Sequence, residues 1–256
     1  MKIIVCIKQV PDSEAKVKAE GGQISWGDAP LVINPFDEYA VEGALLTKEA
    51  AGGTVIALSI GPVSAKEALK HALAMGADDA ILVSDPALEN LDTQGAARIL
   101  AEAIQKIGGA DMAVFGRQTL DNGAGLTPAQ TARVLGWPML GLAGQIKVDA
   151  GSVSVERAIE EGRQTVSAKL PAVVSVVQSI GEPRYPSFMG IRKAAKAEIP
   201  VWSLADLGVS ASAALVTRSE LMSPPSRESA VEIITGDSPE AIAEKMAEKI
   251  LAEKLL

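Results

Sequence analysis

Four short apolar runs, each followed by a stretch with helical spacing, constrain this chain more than any other feature. The runs are Lys2 to Lys8, Thr54 to Ser59, Ala80 to Val83 and Asp111 to Phe115. After the first, Ala40, Val41, Ala44 and Leu45 repeat at 3.6-residue spacing; after the second, Ala68, Leu69, Ala72 and Met75 do so, with Gly76 as a stop. Thr93 to Ile107 follows the third run and ends at Gly108-Gly109, and Thr127 to Leu135 follows the fourth. Short runs with no polar alternation are strands buried on both faces. Alternating with helices, they define a parallel sheet with right-handed crossovers. The expected fold class is α/β: a parallel sheet flanked by helices, with extra strands, a C-terminal extension and a final helix.

Composition agrees. The 256 residues are 48% hydrophobic but 3% aromatic, so Val, Ile, Leu and Ala must fill the core. A formal charge of -8 disfavours nonspecific nucleic-acid binding, and no nucleic-acid partner is expected. Cys6 is the single cysteine, which excludes an intrachain disulfide and a Cys-rich metal site. The run from Ile3 to Ile7 between lysines is far too short for a secretory core or a membrane span, so a cytoplasmic, prokaryotic setting is expected, or a matrix-like one after loss of a leader.

Beyond Trp137-Pro138 the period changes. Ser152 to Ala158 and Gln164 to Lys169 alternate, and Ala172 to Val177 is apolar; these are strands that either extend the sheet or form its antiparallel edge. Weak alternation on either side of Gly21-Gly22 suggests a small hairpin within residues 14–33. Gly181 to Ala197 carries Pro183, Pro186 and Gly190 with no clear period and reads as an exposed excursion. Residues 208–230 are rich in Ser, Ala and Pro and read as a linker. Ser238-Pro239 opens a final amphipathic helix. The expected division is an α/β domain over 1–205 and a C-terminal arm and helix over 206–256, packing on its own domain or on a partner subunit.

Three loops after strands bear on function, because ligands of open parallel sheets bind at the C-terminal ends of strands. Gly116 to Thr131 runs from strand to helix, with Gly116, Gly123 and Gly125 permitting close backbone approach. It reads either as a structural βα turn or as a nucleotide loop, with phosphate at the helix N-terminus near Thr127 and Asp121 orienting the loop or binding ribose. Asn34-Pro-Phe-Asp37 opens a helix: Asn34 caps it, or also bonds an adenine edge, with Pro35 at the first position. Ser59-Ile60-Gly61-Pro62 is either a turn or a place for a base or ribose. The joint reading, three loops at one sheet edge, outweighs any alone. Cys6 reads as buried and inert, and His71 as a surface or boundary residue. No catalytic constellation is present, which points toward binding or carriage. Arg184, Arg192, Lys193 and Lys196 surround Phe188 and Met189, giving either a docking surface or a solvated loop.

Taken together, these segments resemble the beta subunit of electron transfer flavoprotein over nearly the whole length. The resemblance is carried by Val5-Cys-Ile-Lys-Gln-Val-Pro-Asp12, Asn34-Pro-Phe-Asp-Glu38 with Ala40-Val-Glu42, and Ala72-Leu-Ala-Met-Gly-Ala-Asp78. It continues in Gly116-Arg-Gln118 with Asp121, Leu135-Gly-Trp-Pro138, Lys169-Leu-Pro-Ala-Val-Val174 and Glu182-Pro-Arg-Tyr185. The resemblance implies an adenine-nucleotide alpha-hydrolase-like fold and no bond-making chemistry. It implies a heterodimer with an alpha subunit carrying the redox-active FAD, and a structural AMP in this chain. The complex would take electrons from flavoprotein dehydrogenases and pass them to an acceptor such as a membrane quinone oxidoreductase.

By the same resemblance, Cys6, Asn34, Pro35, Phe36, Asp37 and Ile60 contact adenosine. Gly116, Arg117, Gln118, Asp121, Asn122, Gly123, Ala124, Gly125, Leu126 and Thr127 wrap the phosphate side. Arg184, Phe188, Met189, Arg192 and Lys193 dock partner dehydrogenases. The chain departs from the family at Gly123 to Pro128, where relatives carry a polar amide and where Pro128 removes a donor. Two alternatives stand beside this reading: an electron-bifurcating relative holding a second FAD in place of AMP, and a stand-alone nucleotide-binding signalling domain. A nucleotide-hydrolysing enzyme is disfavoured by the missing Walker lysine and base.

Overall fold

The computed structural model describes the chain except for residues 21–22, 90, 211–212, 217–219, 224–230 and 254–256. Contacts divide it into two compact units, Met1–Leu221 and Met222–Leu256. The elements of the first unit begin with strands β1 (Lys2–Ile7), β2 (Gln9–Pro11), β3 (Lys18–Glu20), β4 (Gln23–Ser25) and β5 (Leu31–Ile33). Helix α1 (Pro35–Ala51), β6 (Thr54–Ile60), α2 (Lys66–Met75), β7 (Asp79–Val83), α3 (Thr93–Ile107), β8 (Met112–Gly116) and α4 (Thr127–Leu135) come next. Then follow β9 (Met139–Ala143), β10 (Gln145–Asp149), β11 (Ser152–Ile159), β12 (Gly162–Lys169) and β13 (Ala172–Val176). Last are α5 (Phe188–Ala195), β14 (Val201–Trp202) and α6 (Leu204–Leu207).

Seven strands form a parallel sheet in the order β14-β7-β6-β1-β8-β13-β9. Side-chain parity along β1 assigns the two faces. Ile3, Val5 and Ile7 pack with Val41, Leu45 and Leu69 of α1 and α2. Ile4 and Cys6 pack with Ile99, Leu100 and Ile104 of α3 and Ala132 of α4. Burial on both faces is why the strand reads as a continuous apolar run. From β1 the chain winds to β6 and β7, then returns to the far side of β1 with β8. This reversal places α1 and α2 on one face and α3 and α4 on the other, and it opens a crevice between the ends of β1 and β8.

In the second half the structure decides between the two pairings that the sequence left open. Ala172–Val176 is no antiparallel edge: it lies inside the parallel sheet, between β8 and β9, and its complete burial is the physical reason. The crossover from β9 to β13 is made by the antiparallel meander β10-β11-β12, whose Val153 and Val155 join the core on the α1 face. The expected hairpin is present as β3 and β4, with Gly21-Gly22 outside the described residues. Gly181 to Ala197 is not without period. It contains α5, whose N-terminus is capped by Ser187 accepting from the Gly190 N–H at 2.9 Å. Gly190 is required there, because a Cβ would come 2.3 Å from the Ala74 carbonyl oxygen of α2.

The second unit is built around helix α7 (Pro239–Ala252), with Ser238 accepting from the Ala241 N–H and Pro239 in the first turn, as the sequence predicts. Lys249 pairs with Glu232, and Lys245 donates to the Thr235 carbonyl at 3.0 Å. The reading of 208–230 as a linker falls largely on residues outside those described.

Candidate functional site

A cavity of about 450 Å³ lies at the C-terminal ends of β6, β1 and β8, where the strand order reverses. Apolar lining comes from Cys6, Ile60, Leu88, Leu91, Leu100 and Phe115. Polar lining comes from Gln118, Thr119, Asn122 and Thr127, with backbone approach at Gly116 and Gly125. An apolar wall beside a few placed polar groups is the usual make-up of a small-ligand site. A larger hollow of about 910 Å³ is lined wholly by residues from Asp12 to Pro30, away from the seven-stranded sheet and from every helix N-terminus among the described residues.

The floor is built from three distant segments. Asn34 is the N-cap residue of α1 by backbone, but its side chain makes no cap bond. Fully buried, it reaches across: its amide donates to the Gln118 carbonyl at 2.9 Å and its Oδ1 accepts from the Leu120 N–H at 3.1 Å. Asn34 thus fixes the loop after β8 onto the start of α1. Asp37, in the first turn, is 5% exposed, and its Oδ2 accepts from the Lys8 N–H at 2.8 Å. Gly116 packs directly against this carboxylate, and its N–H favours the charged form. A Cβ at Gly116 would lie 2.4 Å from Asp37 Oδ1 and 2.6 Å from the Phe36 carbonyl oxygen, so no other residue permits this approach. Burial pushes the Asp37 carboxyl up to about 7, while hydrogen bonds from Asn34, Lys8 and Gly116 and the Lys8 charge pull it down. Burial, then the Asp37 charge, raise the Cys6 thiol well above its usual value, which makes it an inert wall rather than a nucleophile.

Lys8 is the sole cation among the described lining residues, which also include Asp37, Glu89 and Asp92. Its ammonium pairs with Asp121 Oδ2 at 2.6 Å, and Asp121 Oδ1 is buried with no partner. Two helices begin at the cavity and differ. Asp92 caps α3, accepting from the Gly95 N–H at 2.7 Å and from the Leu215 N–H at 2.7 Å, and those backbone bonds, Gly95's first, hold its carboxyl below the usual range. Helix α4 begins after Leu126 with no side-chain cap. Its first-turn N–H groups are therefore open to an anion, apart from the donor missing at Pro128. An uncapped helix end beside an apolar wall suits a cofactor with one anionic and one apolar end.

The fold brings Cys6, Asp37, Ile60, Gly116, Gln118, Asn122, Ala124, Gly125 and Thr127 to the cavity lining. Asn34 and Asp121 brace the loop from behind it, while Pro35, Phe36, Arg117, Gly123 and Leu126 lie outside the lining. Reasoning from sequence missed Lys8, Gln9, Leu88, Leu91, Asp92 and Phe115. The signal for Asp92 was its position just before Thr93, where an Asp caps a helix.

On the opposite flank, Tyr185 is 93% exposed and Phe188 79%, with Met189 and Ile191 also exposed. Arg184 does not belong to this surface in the same way. It forks onto Glu42, at 2.9 Å from both Nε and Nη2, and reaches Glu49 at 2.6 Å. Those two carboxylates raise its already high pKa, Glu42 first, and the side chain ties the segment to α1. His71 is a boundary residue as expected, 2.9 Å from Glu38. Among the described residues no group of three or more His, Cys, Asp and Glu is placed to hold a metal, and no helix is long and apolar enough to cross a membrane.

Fold and cavity define the class: a parallel α/β protein with a nucleotide-sized pocket at its strand-order reversal. Comparison with known proteins narrows it. The family described as electron transfer flavoprotein domain matches residues 26–207. The electron transfer flavoprotein subunit beta of Megasphaera elsdenii is 35% identical, covering all of both chains. The caffeyl-CoA reductase-Etf complex subunit CarD of Acetobacterium woodii is 34% identical with the same full coverage. The beta subunit of Mycobacterium leprae is 39% identical over 81% of this chain and 80% of its own. The chain belongs to the electron transfer flavoprotein beta-subunit family. Membership makes it a component of an electron carrier rather than an enzyme, and sets aside the stand-alone signalling domain.

Proposed function

We propose that this chain is the beta subunit of a heterodimeric electron transfer flavoprotein and holds one AMP as a structural ligand in the cavity at the ends of β6, β1 and β8. The observation that carries the proposal is the conjunction, at one cavity, of an uncapped α4 N-terminus, lining backbone at Gly116 and Gly125 and an apolar wall. On this reading the base lies against Cys6, Ile60 and the leucines. The phosphate faces Thr127 and the first turn of α4, with Lys8 supplying the nearby positive charge. A flavin carried by an alpha subunit supplies the redox chemistry when bound. This chain's residues hold the nucleotide, exclude water from it and shape the neighbouring surface. Phe188, Met189 and Ile191 on α5, with Arg192 and Lys193, form the face that meets flavoprotein dehydrogenases. The acceptor is of the quinone-oxidoreductase kind, and the setting is the bacterial or archaeal cytoplasm.

A second reading has its own support. The relative CarD, named as part of a caffeyl-CoA reductase-Etf complex, matches this chain from end to end. On that reading a second FAD takes the place of AMP and the assembly bifurcates electrons. Acid release from the co-purified complex, followed by chromatography, separates the two. AMP and FAD in equal amounts support the first reading. Two FAD per complex without AMP replaces it with the second, and no adenine nucleotide at all refutes both.

A further inference from the structure

We infer that Asp37 is a positioning residue of this pocket: its ionised carboxylate clamps the ends of β1 and β8 in the arrangement that receives an adenine nucleotide, so affinity follows the ionisation of this one side chain. The inference rests on reading the cavity as a nucleotide site. Its geometric basis is the meeting of three segments on one carboxylate. Lys8 directly follows β1, Gly116 is the last residue of β8, and both line the cavity. The Lys8 N–H donates to Asp37 Oδ2 at 2.8 Å, and Gly116 packs against the same carboxylate, where its N–H favours the charged form; Asp37 sits on the first turn of α1. Adjacent strands diverge beyond their last ladder bond unless something ties them. Gly116 is held by its ladder with β13 and Lys8 by the Asn34 N–H on its carbonyl at 2.8 Å, and the Asp37 side chain, from a third element, links the two ends to each other.

An ionised carboxylate accepts from both donors at once. A protonated one turns one oxygen into a donor and a poorer acceptor, and the buried N–H group facing that oxygen is held more weakly. The link between the start of α1 and that strand end weakens, and the cavity floor built on it loosens. The groups facing Asp37 are few. From β1 they are the Lys8 ammonium and the Cys6 thiol. From the loop after β8 comes Asp121, held on Lys8 at 2.6 Å. From the start of α1 comes the Asn34 amide, while the neighbouring Glu38 is turned to His71. Burial opposes the charge and these bonds favour it, leaving the balance at about 7. A group poised there changes state with a modest change of surroundings.

The direction follows from linkage. If the nucleotide prefers the ionised clamp, binding expels a proton whenever Asp37 is protonated beforehand. Affinity is then level above about pH 8 and falls as pH drops through 7, by roughly tenfold between pH 8 and 6. AMP itself titrates near pH 6 through its phosphate, so a variant must supply the baseline.

The test is AMP binding to the full-length chain, freed of nucleotide, at pH 6, 7 and 8, for wild type and Asp37→Asn. The expected result is a wild-type loss about tenfold larger than that of the variant, whose affinity at pH 8 is already reduced. Amide resonances of Lys8 and Gly116 in the unliganded wild type should titrate near pH 7 and move to lower midpoint with AMP. Equal pH slopes in the two proteins, or amides that do not titrate between pH 6 and 8, overturn the clamp. Where Asp37→Asn does not fold, the amide titration alone decides. Wild type that takes up no AMP at any pH refutes the nucleotide reading on which the clamp rests.

Discussion

Replacing Gly116 by Ala should both destabilise the protein and empty its pocket. The added Cβ would sit 2.4 Å from Asp37 Oδ1, 2.6 Å from the Phe36 carbonyl oxygen and 2.7 Å from the Phe36 carbonyl carbon. Two of those three contacts are with backbone, so no side-chain rotation relieves them. Gly116 cannot retreat either, because it is in register with Val176 of β13. The start of α1 must therefore move, and the packing of Gly116 on Asp37 is lost with it. Overpacking of this kind costs about 1–3 kcal/mol, and an unpaired buried amide about 1 more. A loss of about 3 kcal/mol lowers the melting temperature of a domain this size by about 6–12 °C. The control is Gly123→Ala, at φ +67 with nothing within 4 Å, where backbone strain alone costs about 1 kcal/mol. Thermal unfolding and bound-nucleotide content of both variants check the argument. A Gly116→Ala protein that melts with the wild type and keeps its nucleotide would show that α1 is not fixed against β8.

Arg184→Ala leaves the buried Glu42 carboxylate without its fork, costing about 2 kcal/mol, less than a fully buried pair because Arg184 stays partly exposed; denaturant titration reads this directly, and an unchanged midpoint would mean that water replaces the guanidinium. Phe188→Ala should slow electron acceptance from a dehydrogenase several-fold with no change in melting temperature, since the side chain is 79% exposed; equal rates at subsaturating partner would place docking elsewhere. Stability of the unliganded protein should depend on Asp37: its carboxyl is raised from 3.8 to about 7. The folded state therefore holds a proton that the unfolded state has released, and this contribution is full below pH 3.8 and lost as pH rises through 7. Melting temperatures from pH 5 to 8 should fall for wild type relative to Asp37→Asn, and parallel curves would contradict the shift.

The four βα units were legible because strands buried on both faces and helices buried on one leave different periods in the sequence. β13 was visible as a run, but its seat between β8 and β9 depends on partners far away in the chain. β9 left no run to read: Gly141 and the left-handed Leu142, at φ 59, interrupt it, and the register shifts between Val174 and Val176. α5 was missed because Phe188, Met189 and Ile191 face outward, so its apolar residues do not mark a core-facing stripe. The glycine loop and the Asn34 segment pointed to the cavity because strand-end loops are where open sheets bind. Leu88, Leu91 and Asp92 did not, since they reach it only through the placement of α3. Arg184 was read with Arg192 and Lys193 as part of a docking surface or a solvated loop, and a one-dimensional pattern holds no trace of Glu42 opposite it.

The bonds that close the cavity floor join residues far apart along the chain: Lys8 to Asp121 across 113 positions, and Asn34 to Gln118 across 84. Such contacts form only after the entropy of closing long loops has been met, so they belong to the late stages of folding. A chain halted midway through synthesis, before β8 and the loop beyond it emerge, has no floor. Nucleotide capture therefore certifies a completed sheet. Because the ligand binds only the finished form, it also draws the folding equilibrium toward that form in proportion to its free concentration.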